Sequence, residues 1–228
     1  SKVVTPAKAA EGADFVFTCV GNDNDLSEVT IGKDGIYHTI KKGAVHIDNT
    51  TASAKIAIKL YKSSKAHGWG FLDAPVSGGV IGADAGTLTF MCGGDKDSFE
   101  KAKPILQGMG KNIVHCGSGG LGQATKICNN MLAGINALAA AEAMTMGERL
   151  GVSPDILYEV ISTSTGRSYI FETSNPMPDV CSTSPANNKF KPGFMAKLML
   201  KDLRLSQAAA QDARTSTPLG AAATAAFQ

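Results

Sequence analysis

Three features that would assign this protein to a familiar class are missing from its sequence. Its 228 residues contain no apolar run of the roughly 18 residues that a membrane-spanning helix needs. The 22 Lys and Arg residues are dispersed and nearly balanced by 20 Asp and Glu residues, so the charge predicts binding to neither nucleic acid nor a membrane surface. The five cysteines are far apart and include no CxxC pair, which argues against a disulfide framework and a zinc site. We therefore expect reduced thiols and an intracellular location.

The histidines do not suggest a metal centre either. His38, His46, His67 and His115 are scattered, and no spacing among them favours metal ligation or a Ser-His-Asp arrangement. What the chain does contain is apolar material: 43% of its residues are hydrophobic and 18% are charged. This composition predicts a globular protein with a sizeable core.

The first half of the sequence alternates strand-like and helix-like segments. Apolar runs predict five strands, at residues 14–20, 43–48, 69–73, 87–92 and 112–116. Helices are expected after the turn at 21–25, after the hydroxyl-rich stretch 50–53 and over 96–108. Strands separated by helices predict a mostly parallel sheet, whose carboxyl edge is where ligands bind.

The sequence of the second half predicts helices. Residues 124–150 include no proline and few charges, and we expect this long helix to be buried around its whole circumference. Further helices are predicted at 154–162, following Ser153, and at 194–212. The charged pair Lys201-Asp202 in the last of these is most simply interpreted as part of a solvated face. We place a sheet domain at residues 1–118 and a helical domain at residues 119–228.

The segment Gly117-Ser118-Gly119-Gly120-Leu121-Gly122 fits the GxGxxG pattern of dinucleotide-binding turns. That fingerprint should open a βαβ unit, but no second strand follows the helix here. We therefore interpret the segment as a turn that joins the sheet to the long helix. Its glycines are expected to bring backbone amides close to a substrate or cofactor.

Lys126 and Asn130 are one helical turn apart near the start of the long helix. An apolar environment and the positive end of the helix dipole both favour a neutral lysine amine, which can exchange a proton with a substrate hydroxyl. Asn130 could orient that substrate. The alternative, which spacing alone favours, is that Lys126 extends to solvent and Asn130 is an interior amide.

A second candidate is the segment DAPVSGG at residues 73–79. It follows a strand and presents a serine hydroxyl and unobstructed glycine amides, which suit a small carboxylate. An ordinary strand-to-loop turn would have the same composition, so the residues alone do not separate these two interpretations.

Four motifs in register resemble the β-hydroxyacid dehydrogenase family, and the resemblance extends over essentially the whole chain. They are DAPVSGG at 73–79, GTLTFMCGGD at 86–95, GLGQATKICNN at 120–130 and LMLKDLRLS at 198–206. The resemblance implies a partial Rossmann-type α/β fold with a parallel sheet, followed by an all-α domain built on a long interdomain helix. It also implies NAD or NADP as cofactor, with NAD favoured, and assembly as a homodimer or homotetramer.

Carried over residue by residue, the resemblance assigns catalysis to Lys126 and orientation of the substrate to Asn130. It implies that Ser77, Gly78 and Gly79 bind the substrate carboxylate. Cofactor contacts are implied for four further residues: Val20, Gly21, Thr51 and Lys201. No metal is implied.

The implied reaction is hydride transfer between NAD(P) and a small 3-hydroxyacid. The segment 174–194 favours 3-hydroxyisobutyrate, oxidised to methylmalonate semialdehyde in valine catabolism. Reduction of another semialdehyde or of glyoxylate is the same chemistry, and a non-catalytic oligomerisation module is an alternative of a different class. Arg167, Ser168, Phe171 and Asn175 are candidates for the pocket that selects the substrate.

The sequence departs from the family pattern at both ends. Relatives begin with a strand, a GxGxxG turn and a helix, and we expect this chain to lack that segment and part of the carboxyl-terminal helical region. The resemblance implies a bacterial cytoplasmic or mitochondrial matrix location, with no nucleic-acid or membrane partner.

Overall fold

The computed structural model describes residues 4–191 and 193–228 of the chain. They form two compact units, one ending at Ile127 and the other beginning at Cys128, which we call the sheet unit and the helical unit. The division comes later along the chain than the boundary at 118/119 expected from the sequence. The first two turns of the long helix belong to the sheet unit, because they pack directly on the strands.

The sheet unit alternates strands and helices, as the apolar runs and turn signals predict. Its strands in the described residues are β1 (Phe15–Thr18), β2 (Val45–Asp48), β3 (Gly70–Asp73), β4 (Val76–Ser77), β5 (Leu88–Gly94) and β6 (Gly110–Gly117). Its helices are α1 (Pro6–Ala10), α2 (Asp23–Ile31), α3 (Ala54–His67), α4 (Gly79–Asp84) and α5 (Lys96–Leu106), with a 3₁₀ turn at Ile36–His38.

The helices begin where side chains satisfy the first backbone amides. The Asn22 side chain accepts from the amides of Asn24 and Asp25 at the start of α2, and the Ser53 hydroxyl accepts from the Ile56 amide at the start of α3. Helix α3 ends at Gly68, whose φ of 91° is readily adopted only by glycine. The sequence predicts the starts of both helices, at the turn 21–25 and after residues 50–53, and does not mark Gly68 as the end of α3.

The sheet is parallel-rich, as predicted. Strands β1, β2 and β3 pair in parallel, so that Thr18, Asp48 and Asp73 line up at one carboxyl edge. Strand β5 runs antiparallel to β3 and parallel to β6. The reversal at β5 is not predicted by the sequence. The connection after β3 contains a two-residue strand, β4, which pairs antiparallel with β5, and a six-residue helix.

The helical unit continues from α6 (Leu121–Arg149), which starts in the sheet unit. The remaining helices in the described residues are α7 (Pro154–Ser162), α8 (Tyr169–Thr173), α9 (Ala196–Asp212) and α10 (Pro218–Ala226), with a 3₁₀ turn at Pro185–Asn188. Two apolar clusters hold this unit together. One is built around Met144 and Phe171, and the other around Met199 and Leu203.

The prediction that α6 is buried around its circumference is wrong. Its buried residues recur every three or four positions, as on one face of a helix. On other faces Leu132 is 58% exposed and Met146 is 62% exposed. The alanine-rich composition misled this prediction, because alanine favours a helix without requiring burial on every side.

No helix in the described part of the chain has the length and apolar character needed to cross a membrane. The five cysteines, all of them among the described residues, form no disulfide.

Candidate active site

The start of α6 is fixed to the sheet by one buried carboxylate. Asp73, at the end of β3, accepts hydrogen bonds from the amides of Gly120 and Gln123 at 2.7 and 2.8 Å. Gly122 makes this approach possible, because a Cβ there would collide with the main-chain oxygens of Asp73 and Met91. The glycine-rich sequence of this turn predicts that its amides face a substrate or cofactor. The structure corrects that expectation for Gly120, whose amide donates to Asp73.

Gln123 ties the same helical turn to the loop that follows β2. Its side-chain Nε2 donates to the Thr50 carbonyl at 2.6 Å, and its Oε1 accepts from the Ala52 amide at 3.1 Å. Gln123 is fully buried. The loop that contains Thr51 is thereby joined to the helix that contains Lys126.

A chain of hydrogen bonds supports this loop from the interior of the sheet. The Thr18 hydroxyl donates to Asp48 Oδ1 at 2.7 Å, so Thr18 must accept the Nε2 proton of His46, 2.8 Å away. His46 Nδ1 then accepts from the Tyr37 hydroxyl at 3.0 Å. Asp48 Oδ1 also accepts from the Thr50 amide, which fixes the loop at its first residues.

Burial is the main cause of the pKa shifts in this region. It raises the pKa of Asp73 to about 7 and the pKa of Asp48 to about 6, although hydrogen bonds to each carboxylate oppose the rise. It lowers the pKa of His46 to about 3, which agrees with the neutral ring that the hydrogen-bond chain requires. Asp48 Oδ2 is buried without a hydrogen-bond partner. The strands at this edge of the sheet therefore carry three ionisable side chains, Asp48, Asp73 and His46, that are buried from solvent.

The structure brings together the cofactor candidates of the sheet unit at this edge. Val20 follows β1, and its amide donates to the Thr50 hydroxyl at 3.0 Å. Gly21 is the next residue and is exposed, and Thr51 is adjacent to Thr50 and half-buried. The parallel register of β1 and β2 brings these positions, distant in sequence, to one place.

The substrate-carboxylate candidates form a tight turn between β4 and α4. Ser77 ends β4 and is half-buried, whereas Gly78 and Gly79 are exposed. The φ angles of Gly78 and Gly79 are 135° and 62°, conformations that residues with a side chain rarely adopt. Open space surrounds the position where a Cβ of Gly79 would be, so a small ligand can approach the main chain there.

Lys126 is one turn after Gln123 on α6 and is only 7% exposed. It therefore does not extend into solvent, which removes the alternative that spacing alone favoured. A lysine is seldom buried to this extent without a specific role or partner.

In the helical unit, Asn130 and Asp202 form a buried polar pair. Asn130 is 5% exposed, and its Nδ2 donates to Asp202 Oδ2 at 2.6 Å. Lys201 Nζ is 3.4 Å from Asp202 Oδ1. The interpretation of Lys201-Asp202 as a solvated face is wrong for Asp202, which is 2% exposed. Asn130 is an interior amide and is also held in one orientation, so the two interpretations offered for it are compatible.

The four residues expected to select the substrate have structural roles in the helical unit. Phe171 is in the core with Met144, and Asn175 is buried and bonded to the main chain of Phe171 and Met177. Ser168 caps α8, and Arg167 pairs with Glu172. The expectation that Phe171 and Asn175 line a substrate pocket is therefore corrected, because both side chains are buried in the interior of the unit.

Sequence reasoning assigned no role to Asp48, Asp73 or Gln123. A signal for the two aspartates exists, because each ends an apolar strand at the edge where ligands bind in parallel sheets. No local pattern marks Gln123, whose partners are 71 and 73 residues away. Among the described residues, no group of three or more His, Cys, Asp or Glu residues could hold a metal ion.

Family models of dehydrogenase domains match both halves of the chain. Residues 1–117 match the family model described as the NAD binding domain of 6-phosphogluconate dehydrogenase. Residues 120–228 match the model described as NAD-binding of NADP-dependent 3-hydroxyisobutyrate dehydrogenase.

Individual relatives align along nearly the whole chain. Mitochondrial 3-hydroxyisobutyrate dehydrogenase of Mus musculus is 42% identical over 96% of this chain, and the chain spans 65% of the length of that relative. NAD-dependent L-serine dehydrogenase of Pseudomonas aeruginosa is 40% identical over 94% of this chain and 72% of its own length.

A solved structure agrees in fold as well as sequence. The 3-hydroxyisobutyrate dehydrogenase of Mycobacterium tuberculosis, solved with L-serine, superimposes with a TM-score of 0.90 at 40% identity. The superposition covers 97% of this chain and 75% of that one. Because family models match both halves and a relative of 40% identity aligns with 94% of this chain and 72% of its own length, the chain belongs to the β-hydroxyacid dehydrogenase family.

Proposed function

We propose that this chain transfers a hydride between NAD(P) and a small 3-hydroxyacid, with 3-hydroxyisobutyrate as the favoured substrate and methylmalonate semialdehyde as the product. The observation that carries the proposal is the setting of Lys126. A buried lysine follows a helical turn that Asp73 and Gln123 hold rigidly against the sheet. Such preorganisation is what proton transfer at a fixed atom requires.

Each candidate residue has a separate role in the proposed reaction. In the oxidation direction Lys126 Nζ takes the proton of the substrate hydroxyl, and in the reduction direction it returns that proton. Ser77, Gly78 and Gly79 bind the carboxylate through a hydroxyl and bare main-chain amides. Asn130 orients the hydroxyl-bearing carbon, with its own amide fixed by Asp202.

The carboxyl edge of the sheet fits the nicotinamide half of a dinucleotide. Val20 and Gly21, on the loop after β1, and Thr51, on the loop after β2, lie at this edge. The loop after β2 is fixed by Asp48 and Gln123, and the Val20 amide joins the two loops by its bond to the Thr50 hydroxyl. Lys201 is the contact that we assign in the helical unit. When bound, the nicotinamide supplies the hydride acceptor or donor. We favour NAD as the dinucleotide, in line with the printed name of the P. aeruginosa relative.

Exposed apolar side chains on the helical unit support assembly with a second copy of the chain. Leu132 and Met146 on α6, and Ile156 and Val160 on α7, are more than half exposed. Exposed apolar residues of this number on two helices favour an interface. We propose a homodimer or homotetramer formed through them.

The test of the proposed function compares Lys126→Ala and Lys126→Arg with the unchanged chain. Reduction of NAD by 3-hydroxyisobutyrate is followed by the absorbance of the reduced nicotinamide. We expect turnover to fall by about 10²–10⁴ in Lys126→Ala, the usual contribution of a general acid-base group. Lys111→Ala, an exposed lysine on β6, is the matched control and should retain full activity. A Lys126→Ala variant that turns over at the unchanged rate would disprove the assignment.

L-serine is a second candidate substrate, because it is also a 3-hydroxyacid. One relative is named an L-serine dehydrogenase, and the M. tuberculosis structure was solved with L-serine. Measuring kcat/KM for both substrates on the same preparation decides between them. A higher value for L-serine would replace 3-hydroxyisobutyrate in the proposal and leave the role of Lys126 unchanged.

A further inference from the structure

Four side chains inside the sheet unit form one continuous chain of hydrogen bonds. The Tyr37 hydroxyl is 3.0 Å from His46 Nδ1, His46 Nε2 is 2.8 Å from the Thr18 hydroxyl, and that hydroxyl is 2.7 Å from Asp48 Oδ1. His46 and Asp48 are fully buried, whereas Tyr37 is half-buried. The four side chains therefore connect the carboxyl edge of the sheet to a hydroxyl-bearing side chain that is partly open to solvent.

Every bond in this series can be made in either direction. A hydroxyl, a neutral imidazole and a protonated carboxyl group can each donate and accept. An ionised Asp48 only accepts, so Tyr37 donates to Nδ1 of His46 and the ring proton is on Nε2. An Asp48 with a proton on Oδ1 donates to Thr18, Thr18 donates to Nε2, and the ring proton is on Nδ1. The ring is neutral in both arrangements, in agreement with the burial that lowers the pKa of His46 to about 3.

The second oxygen of Asp48 directs the added proton to Oδ1. In the described part of the chain, Asp48 Oδ2 is buried and has no hydrogen-bond partner. A proton on Oδ2 would be a buried donor without an acceptor, whereas a proton on Oδ1 has an acceptor in the Thr18 hydroxyl. Since one bond has room for only one proton, the Thr18 proton then has to turn toward His46.

Three further ionisable groups face Asp48 from neighbouring elements. Burial raises the pKa of Asp48 to about 6, and the charge of Asp23 at the start of α2 adds to the rise. Asp73 on β3 interacts with Asp48 in the same sense, because each negative charge disfavours the other. Tyr37 remains protonated, since burial raises its pKa as well. These surroundings favour uptake of a proton by Asp48 in mildly acidic solution.

We propose that Tyr37, His46, Thr18 and Asp48 form a proton relay with two directions, in which His46 changes its tautomer when Asp48 takes up a proton. One proton is taken up in total. Water gives a proton to the Tyr37 oxygen, and Tyr37 passes its own proton to Nδ1 of His46. The Nε2 proton passes to Thr18, and the Thr18 proton passes to Asp48 Oδ1. The reverse sequence returns one proton to water.

The relay reaches the loop after β2 through the Thr50 amide. This amide donates to the same Asp48 Oδ1 at 3.2 Å, and a protonated carboxyl oxygen is a weaker acceptor than a carboxylate oxygen. The loop is therefore held less firmly once Asp48 is protonated. Thr51 belongs to this loop, so dinucleotide binding should weaken in acid, a consequence that rests on the proposed function.

The experiment follows the ring nitrogens of His46 by NMR in the whole chain labelled with ¹⁵N-histidine. A ring nitrogen that carries a proton has a chemical shift distinct from that of a bare one, and the His46→Gln variant identifies the signals of His46 among those of the four histidines. We expect the proton on Nε2 in alkaline solution and on Nδ1 in acid, with a midpoint at about pH 6, the pKa of Asp48. Circular dichroism at each pH verifies that the protein is folded.

Two substitutions separate the relay from a general response of the fold. Asp48→Asn keeps an acceptor for Thr18 and the Thr50 amide but takes up no proton, so His46 should keep its proton on Nε2 at every pH. Thr18→Val is similar in shape and removes the middle link, so the tautomer of His46 should no longer follow Asp48. Thr215→Val, at an exposed threonine after α9, is the matched control and should behave like the unchanged chain.

Two results would overturn the relay. One is a His46 tautomer that stays the same across this pH range in the folded, unchanged chain. The other is a tautomer change that persists in Asp48→Asn, because the proton would then be taken up elsewhere.

Titration with NADH tests the consequence for the loop. From about pH 7.5 to about pH 5, binding to the unchanged chain should weaken by about two- to tenfold more than binding to Asp48→Asn, the contribution of one hydrogen bond. Equal pH dependence of the two proteins would overturn the link between the relay and the loop. A chain in which His46 changes its tautomer but which binds no NADH would contradict the proposed function and leave the relay standing.

Discussion

The two units of this chain stabilise their interiors in different ways. In the sheet unit, buried polar side chains such as Asp48, Asp73 and Gln123 bond to main-chain atoms of the loops at the carboxyl edge of the strands. In the helical unit, the interior around Met144, Phe171 and Leu203 is mostly apolar, and buried polar side chains occur at Asn130–Asp202 and at Asn175 and Ser184. The hydrogen bonds of the sheet unit's carboxyl edge and the pair Asn130–Asp202 involve or adjoin residues proposed for catalysis. At these places buried hydrogen bonds fix geometry, whereas apolar packing supplies bulk stability.

The largest expected effect is in the apolar interior. Phe171→Ala should lower the free energy of unfolding by about 3–5 kcal/mol, because it leaves a cavity beside Ala140, Met144 and the stacked ring of Tyr158. Urea denaturation followed by circular dichroism measures the change. Tyr169→Ala, on the same helix but exposed, should change the unfolding free energy by less than about 0.5 kcal/mol. Equal effects of the two substitutions would mean that α8 does not pack as described.

A somewhat smaller effect is expected from the polar interior. Asp73→Asn places an amide donor against one of the two backbone amides of Gly120 and Gln123, so one of them loses its acceptor. The expected cost is about 1–3 kcal/mol of unfolding free energy. Turnover should fall as well, because the turn that precedes Lys126 is no longer fixed. Asp84→Asn, an exposed aspartate on α4, is the control. Loss of stability without loss of turnover would separate the network from catalysis.

The pH dependence of stability distinguishes the two interiors. A carboxyl group whose pKa is higher in the folded than in the unfolded protein binds more protons when folded, so its contribution to stability falls as pH rises between the two values. For Asp48 that window runs from about 4, the ordinary value, to about 6. Asp48→Asn retains an acceptor for Thr18 and Thr50 but cannot ionise. It should be more stable than the unchanged chain above this window, by up to about 1.4 kcal/mol for each unit of the pKa shift.

The measurement for Asp48 is urea unfolding at several pH values across the window. The pH dependence should be flatter in Asp48→Asn than in the unchanged chain, while the exposed Asp84→Asn control should follow the unchanged chain. An unaltered pH dependence in Asp48→Asn would show that the pKa of Asp48 is the same in the folded and the unfolded protein.

The smallest effect on stability is expected at the exposed apolar face of the helical unit. Leu132→Gln should change the unfolding free energy of an isolated chain by less than about 0.5 kcal/mol. If this face joins two copies, the same substitution should shift the protein to a smaller species in analytical ultracentrifugation. The exposed Thr125→Gln on the same helix should leave the assembly unchanged. A Leu132→Gln protein that sediments like the unchanged chain would place the interface elsewhere or exclude it.

Much of the secondary structure follows from local patterns. Apolar runs bounded by turn residues predict β1, β2, β3, β5 and β6, and hydroxyl and amide caps predict the starts of α2 and α3. Strand β4 and helix α4 are too short to produce a periodic pattern, so they were missed. The direction of β5 is also invisible to periodicity, because alternation of side chains is the same in parallel and antiparallel strands.

The site was predicted less directly. The residues around Lys126 and Ser77 suggest chemistry by themselves but leave a structural interpretation open, because a buried lysine and a solvent-exposed one give the same local sequence. The resemblance of four motifs to a family favours the chemical interpretation. The hydrogen bonds of Gln123 and Asp73 join residues 47 to 73 positions apart, and no single sequence specifies such pairs.

The connection made by Gln123 has a consequence for substitutions in the loop that follows β2. Both of its bonds reach main-chain atoms of the loop after β2, at Thr50 and Ala52, and neither depends on a side chain of that loop. The side chain at position 51 can therefore be exchanged without removing either bond, whereas Ala52 is buried in the core and has to stay small. Substitutions at Thr51 can thus test its proposed cofactor contact while Gln123 still joins this loop to the helix that contains Lys126.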